Sequence, residues 1–288
     1  MTAAVGDLDL RQKSISRSEM SYFVLTGRER GELTELFFHL RTLGERFPLA
    51  REEAVTALRC LKAVHSNAIE DKAVDRVFLQ VLLHGAGVSD KMKISQHYGS
   101  ASLELRGQEA LLVSLEAEAK QRVPFSLSKF KEMHRMIFEE SIPDMAGKFR
   151  TDEVRISGMR HRPPHPQKVS EALLQHVEGL NEELFRIAPR DEPSFLEVLR
   201  VSAKVHYLIA SVHPFEDGNG RVARAAGDYA MLVHGFFYDV IMTDYRDVYL
   251  DALESSSWAD TGPLFHFLEY SYLETLRRIS GFFKLVGR

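Results

Sequence analysis

Apolar residues recur at helical spacing through most of the chain. After a polar arm that reaches about Glu19, Glu32 to Leu40 begins such a pattern. Further on, Val55, Leu58, Leu61, Val64 and Ala68 fall at three- to four-residue steps, which predicts an amphipathic helix over residues 52–70 with Pro48 upstream. Cys60, inside that run, is expected in the core. Residues 91–102 read as a connection and 103–121 as a helix that stops before Pro124. This places a boundary near residue 105, between an N-terminal helical region (1–105) and a core (106–288). More helices are predicted over residues 125–140, 169–186, 193–212 and 221–234, and one or two within 249–278. The crowded apolar positions between Leu196 and Val212 mark a buried central helix.

One segment breaks the helical pattern. Beyond Ala146-Gly147, the residues Phe149, Thr151, Val154 and Ile156 alternate imperfectly, and Ser157-Gly158 can turn. The run from Arg160 to Pro166 is too rich in proline for a central strand. A short edge hairpin is expected there, with a surface loop as the alternative. The fold class that follows is mainly α, a helical bundle with one short β-hairpin and an N-terminal helical extension.

Composition narrows the function without naming it. The 288 residues are 44% hydrophobic and 27% charged, with a formal net charge of −4, so nothing attracts nucleic acid in general. No apolar run is long enough to span a bilayer, and Met1 to Ser14 lacks a signal-peptide core. The single cysteine cannot form an intramolecular disulfide, which agrees with a reducing compartment. A soluble, cytoplasmic protein with no nucleic-acid or membrane partner is expected, and its oligomeric state is left open.

The densest chemistry lies between His213 and Arg224, in the order His213-Pro214-Phe215-Glu216-Asp217-Gly218-Asn219-Gly220-Arg221-Val222-Ala223-Arg224. A histidine titrates nearest neutrality and can take a proton from a hydroxyl. Asp217 offers hard oxygen ligands, and Mg²⁺ needs only one or two carboxylates when phosphates supply the rest. Gly218 and Gly220 let backbone N–H groups around Asn219 curl into an anion nest, to which a following helix N-terminus adds. Arg221 and Arg224, three apart, can fork onto different phosphate oxygens. These parts suit a nucleotide phosphate. A plain helix–loop–helix corner with solvated arginines is the alternative.

The segment resembles the signature of the Fic (filamentation induced by cAMP) family: histidine-proline-phenylalanine, any residue, an acid, glycine-asparagine-glycine-arginine, two residues, arginine. Every specified position is filled. The resemblance implies a helical Fic core that uses ATP and Mg²⁺ to transfer AMP onto a protein hydroxyl. It makes His213 the base, Asp217 the metal ligand, and Gly218, Asn219 and Gly220 the phosphate loop. Arg221 and Arg224 become triphosphate clamps and Phe215 a buried anchor. Gly218-Asn219-Gly220-Arg221 also differs from the alanine-asparagine-lysine-arginine of the phosphorylating Doc branch. Gly147-Lys148-Phe149-Arg150 resembles the start of the Fic flap, which implies that Val154, Arg155 and Ile156 align a target segment by strand addition.

Ser66-Asn67-Ala68-Ile69-Glu70-Asp71 resembles the family's inhibitory motif, except that Asp71 stands where glycine or asparagine is usual. The resemblance implies that Glu70 pairs with Arg224, displacing the ATP γ-phosphate, and that Ser66 braces the loop. A capping box from Asn67 to Glu70 is the local alternative. The implied function is an autoinhibited protein adenylyltransferase acting on a serine, threonine or tyrosine hydroxyl of a target, self-modification included. A hydrolase that removes AMP with Glu70, or a nucleotide-responsive binding module, are its rivals.

Overall fold

The computed structural model describes residues 23–70, 99–156 and 160–286. Nine α-helices stand among them: α1 (Gly27–Arg46), α2 (Pro48–Glu70), α3 (Gly99–Lys120), α4 (Leu127–Phe138), α5 (Val169–Arg186), α6 (Glu192–Val212), α7 (Asn219–Leu232), α8 (Arg246–Ser255) and α9 (Gly262–Val286). None is long and apolar enough to cross a membrane.

Local chemistry sets where the helices start. Thr26 caps α1: its hydroxyl accepts the Glu29 N–H while the Glu29 carboxylate accepts the Thr26 N–H, satisfying two donors that a helix start leaves open. Asp191 and Ser194 close the same kind of box on α6, with proline in the first turn where its missing N–H costs nothing. α6 buries apolar residues on nearly every side, so it runs through the middle of the molecule. Against it lies α7, whose Ala223, Ala226, Gly227 and Ala230 are buried. Their small size brings the two helices close; a methyl on Gly227 would sit 3.1 Å from Ser202 Oγ. The α6–α7 pair carries the His213–Arg224 segment at its junction.

The N-terminal helices share this core. α1 packs on α9, and α2 lies against α3, α7 and α9. Residue 105 falls inside α3, which begins at Gly99. Lys62 of α2 breaks the apolar pattern yet is 2% exposed. Its Nζ donates to the Asp239 carbonyl at 2.6 Å and lies 2.9 Å from Asp228 Oδ2, so a buried cation from α2 is matched by a carboxylate of α7. Cys60, expected in the core, is exposed instead, with its Sγ 3.6 Å from a Glu109 carboxylate oxygen. It lies two residues from the buried Leu58, about 200° round the helix, on the outer face.

The expected hairpin is not formed. Among the described residues there is no strand, and 153–156 run without a ladder. The Arg150 side chain organises this arm instead. Nε donates to the His213 carbonyl at 2.8 Å, Nη1 to the Asp152 carbonyl at 2.9 Å and Nη2 to the Pro164 carbonyl. The Arg150 N–H donates to the Pro214 carbonyl at 2.9 Å. Pro163, Pro164 and Pro166 have no N–H to give to a ladder. Ser157-Gly158, the expected turn, lies outside the described residues.

Candidate active site

His213 ends α6 in the left-handed backbone region, φ 50° and ψ 57°, which costs a non-glycine residue about 1 kcal/mol. Arg150, by holding the carbonyls of His213 and Pro214, keeps the chain in that turn. The imidazole Nδ1 lies 3.3 Å from the Ala210 carbonyl. A carbonyl only accepts, so Nδ1 carries the proton and Nε2 of the neutral ring keeps its lone pair. Burial pushes the His213 pKa below its ordinary value, and the Ala210 carbonyl opposes that in part. The ring is therefore a neutral base at pH 7.

The loop after it is held from inside. Phe215 is fully buried and stacks on His134, ring centroids 4.0 Å apart. His134 accepts the Gly147 N–H at Nδ1, 2.9 Å, so Nε2 carries the proton and donates to the Asp217 carbonyl at 3.1 Å. Burial lowers its pKa to about 4, which keeps that tautomer neutral. Asn219 spends its whole amide on Phe215: Oδ1 accepts the Phe215 N–H at 2.8 Å and Nδ2 donates to the Phe215 carbonyl at 2.9 Å. The Asn219 side chain thus braces the loop and leaves its backbone N–H as the group for an anion, as the nest reading expects.

Gly218 caps α7 with φ 75°, and a Cβ there would also lie 2.2 Å from the Phe138 ring. Both the backbone and the space demand glycine. The Asp217 carboxylate accepts the Gly218 N–H at 2.5 Å and remains 63% exposed, with Oδ2 3.6 Å from Arg221 Nη2. No cluster of three or more histidine, cysteine or acidic side chains exists among the described residues. One open carboxylate beside a helix N-terminus nevertheless fits Mg²⁺, provided phosphate oxygens complete the shell.

Arg224 is 2% exposed and all three of its nitrogens are engaged. Nε donates to Ser66 Oγ at 2.9 Å, and Nη2 to the Ser66 carbonyl at 2.8 Å and Glu70 Oε1 at 2.7 Å. Nη1 reaches the Tyr249 hydroxyl at 3.5 Å, and that hydroxyl is 2.7 Å from His206 Nε2. Ser66 and Glu70 lie one helical turn apart on α2, so both reach the same guanidinium. Arg246 adds a second, donating to the Ile69 carbonyl at 2.7 Å. Burial alone would raise the Glu70 pKa, but Arg224, with Arg221 and Arg246, holds it below the usual carboxylate value. Because Asn67 and Glu70 both lie within α2, the capping-box alternative is excluded.

Glu70 also stands over the loop. A Cβ on Gly220 would lie 2.0 Å from Glu70 Oε1. The structure thus brings together His213, Asp217, Gly218, Gly220, Arg221, Arg224, Ser66 and Glu70. Val154 and Ile156 are half-buried and Arg155 exposed, on the arm that Arg150 ties to His213. Asp71 lies outside the described residues. A separate cleft at the start of α4, lined by Pro124, Phe125, Leu127, Leu174 and Phe185, involves none of these groups. Tyr229, Phe236, Phe237 and Tyr238 are buried in the core.

Sequence reasoning missed His134, Tyr249, Glu104 and Gln108. His134 is one polar residue on an amphipathic helix, and the others lie 25 to 117 residues from the arginine or serine they meet. No local spacing marks them. Arg150 stood in a recognised motif, but its fourfold grip did not follow from it.

A sequence model of the Fic/DOC family matches residues 124–231. The chain is 27% identical over 226 residues to Protein adenylyltransferase fic-1 of Caenorhabditis briggsae, covering 78% of this chain and 42% of that protein. It is 28% identical over 207 residues to Protein adenylyltransferase Fic of Culex quinquefasciatus, covering 71% and 38%. The chain therefore spans less than half the length of these relatives. In fold it is similar to a Fic domain containing signaling protein from Bacteroides thetaiotaomicron, with a TM-score of 0.63, 16% identity, and coverage of 92% of this chain and 97% of that one. It is also similar to a fragment of Fic-1 from C. elegans, with a TM-score of 0.64, 23% identity and coverage of 90% and 73%.

Proposed function

We propose that this chain, which belongs to the Fic/DOC family, is a protein adenylyltransferase whose own Glu70 holds it inactive. ATP places its phosphates against the N-terminus of α7, with Arg221 and Arg224 as cationic clamps. Mg²⁺, when held by Asp217 together with phosphate oxygens, supplies charge neutralisation there. A target segment lies along the arm at Val154, Arg155 and Ile156 and presents a serine, threonine or tyrosine hydroxyl. His213 Nε2 takes the hydroxyl proton as the oxygen attacks the α-phosphorus. The new P–O bond joins AMP to the target, the bond to the β-phosphate breaks, and pyrophosphate leaves.

The observation that carries this reading is the position of Glu70, bonded to Arg224 and over Gly220. With Glu70 there, the arginine meant for a phosphate is already neutralised and the loop is covered. Losing one charge-assisted arginine–phosphate contact costs about 1.5 to 3 kcal/mol, or roughly ten- to more than a hundredfold in binding. Removal of AMP by a Glu70-activated water needs a basic carboxylate, and the three arginines make this one a weaker base than usual.

Label transfer from ATP marked separately at the α- and γ-phosphates tests the reaction. Protein labelled from the α-position only is expected in Glu70→Gly with a host lysate. Label from the γ-position would mean a kinase, and ATP binding without transfer of either label would favour a binding module.

A further inference from the structure

Two carboxylates from the N-terminal helices reach the two clamp arginines, and they do so differently. Glu70 covers the phosphate loop and pairs with Arg224. Glu104, in the second turn of α3, bonds Arg221 Nη1 and is itself only 15% exposed. The same Nη1 donates to Asn67 Oδ1 at 3.3 Å, and the guanidinium lies 4.5 Å over the Phe138 ring. The atoms nearest a Cβ on Gly220 belong to Glu70 and Arg224, and none to Glu104. Glu104 therefore holds Arg221 and lies farther from Gly220 than Glu70 does.

What it leaves open is informative. Arg221 is 4% exposed, and among the described residues its buried Nε has no partner. Nη2 lies 3.6 Å from the Asp217 carboxylate, its one partner among the described residues. An unpartnered buried donor is costly, and the Nε/Nη2 edge is one that a guanidinium forks onto an oxyanion. We propose that Glu104 is a positioning residue: it fixes one side of Arg221 so that the Nε/Nη2 edge faces a nucleotide phosphate and stays apart from Asp217. This rests on the nucleotide reading above, and it gives Glu104 a role opposite in sign to that of Glu70. Without the Glu104 anchor, Arg221 can close the 3.6 Å gap to Asp217 and neutralise the carboxylate assigned to Mg²⁺.

Calorimetry of ATP binding over a series of Mg²⁺ concentrations tests this in Glu70→Gly and in Glu70→Gly/Glu104→Gln, each with and without Arg221→Ala. Expected from Glu104→Gln are about tenfold or weaker ATP binding and a higher half-saturating Mg²⁺ concentration, at unchanged helical circular dichroism. In the Arg221→Ala background the same change should have no further effect. Equal or tighter ATP binding, an undiminished effect without Arg221, or release of transfer by Glu104→Gln in an otherwise wild-type chain would overturn the proposal. The last result would make Glu104 a second inhibitor. If the glutamine variant loses helicity, Glu104→Asp carries the test, and an unchanged Kd for ATP overturns it. Failure of Glu70→Gly alone to bind ATP would reject the nucleotide reading before Glu104 is altered.

Discussion

Glu70 and Arg224 are 154 residues apart in sequence and 2.7 Å apart in space, and the same carboxylate oxygen stands where a side chain on Gly220 would be. In the proposed reading, one contact therefore neutralises a phosphate clamp and covers the loop. Ser66 shares the arginine through its hydroxyl and its carbonyl. Ser66→Ala removes the hydroxyl and keeps the carbonyl, so partial release is expected. Transfer should rise by a smaller factor than in Glu70→Gly, in initial-rate assays at fixed ATP. Release equal to that of Glu70→Gly would show that the serine, and not the carboxylate, dominates.

The acid limb of the pH–rate profile follows from His213. Burial lowers its pKa from 6.5, so the ring stays neutral, and able to accept a proton, at a pH where a free histidine is half protonated. Activity of Glu70→Gly should fall only as pH drops below 6.5. An acid limb centred above that value would contradict a buried neutral base.

Gly218→Ala faces two obstacles: φ 75° and the Phe138 ring at 2.2 Å. The left-handed backbone costs about 1 to 2 kcal/mol and overpacking about 1 to 3 more. A marked fall in the urea midpoint is expected, together with loss of transfer. Stability within about 0.5 kcal/mol of the parent would mean that the loop can re-form without glycine.

Arg150→Ala removes the side-chain bonds to the His213, Asp152 and Pro164 carbonyls and leaves the backbone bond to Pro214. Labelling of a target by Glu70→Gly should drop at least tenfold while ATP binding changes little, because in the proposed reading the arm serves the protein substrate and α7 the nucleotide. Loss of ATP binding in the folded variant would place Arg150 in the nucleotide site instead.

How much of this could be read from the chain depended on the range of the interaction. The helices α2, α5, α6 and α7 follow from apolar spacing, and α5 has the predicted bounds. The 213–224 segment is compact because its chemistry is consecutive, and Glu70 stood out through a motif. The hairpin failed because imperfect alternation gives no account of the bonds that compete with a ladder, and Arg150 supplies four. Cys60 was misplaced by treating an apolar type as a buried position, although its angle from Leu58 puts it outside. Asn219 fits a phosphate loop by position, yet its amide closes on Phe215, a partner four residues away that the motif's pattern alone does not reveal. Glu104 carries no local signal, since its partner lies 117 residues away.

The most direct measurement compares initial rates of AMP transfer by the wild type, Glu70→Gly and Glu70→Gly/His213→Ala at one ATP and Mg²⁺ concentration, with circular dichroism confirming the fold of each. A rise of roughly ten- to a hundredfold in Glu70→Gly, abolished by the second change, is expected from the lost Arg224 contact and the need for a base. Transfer by Glu70→Gly equal to or below the wild type, or transfer that survives without His213, would contradict the account.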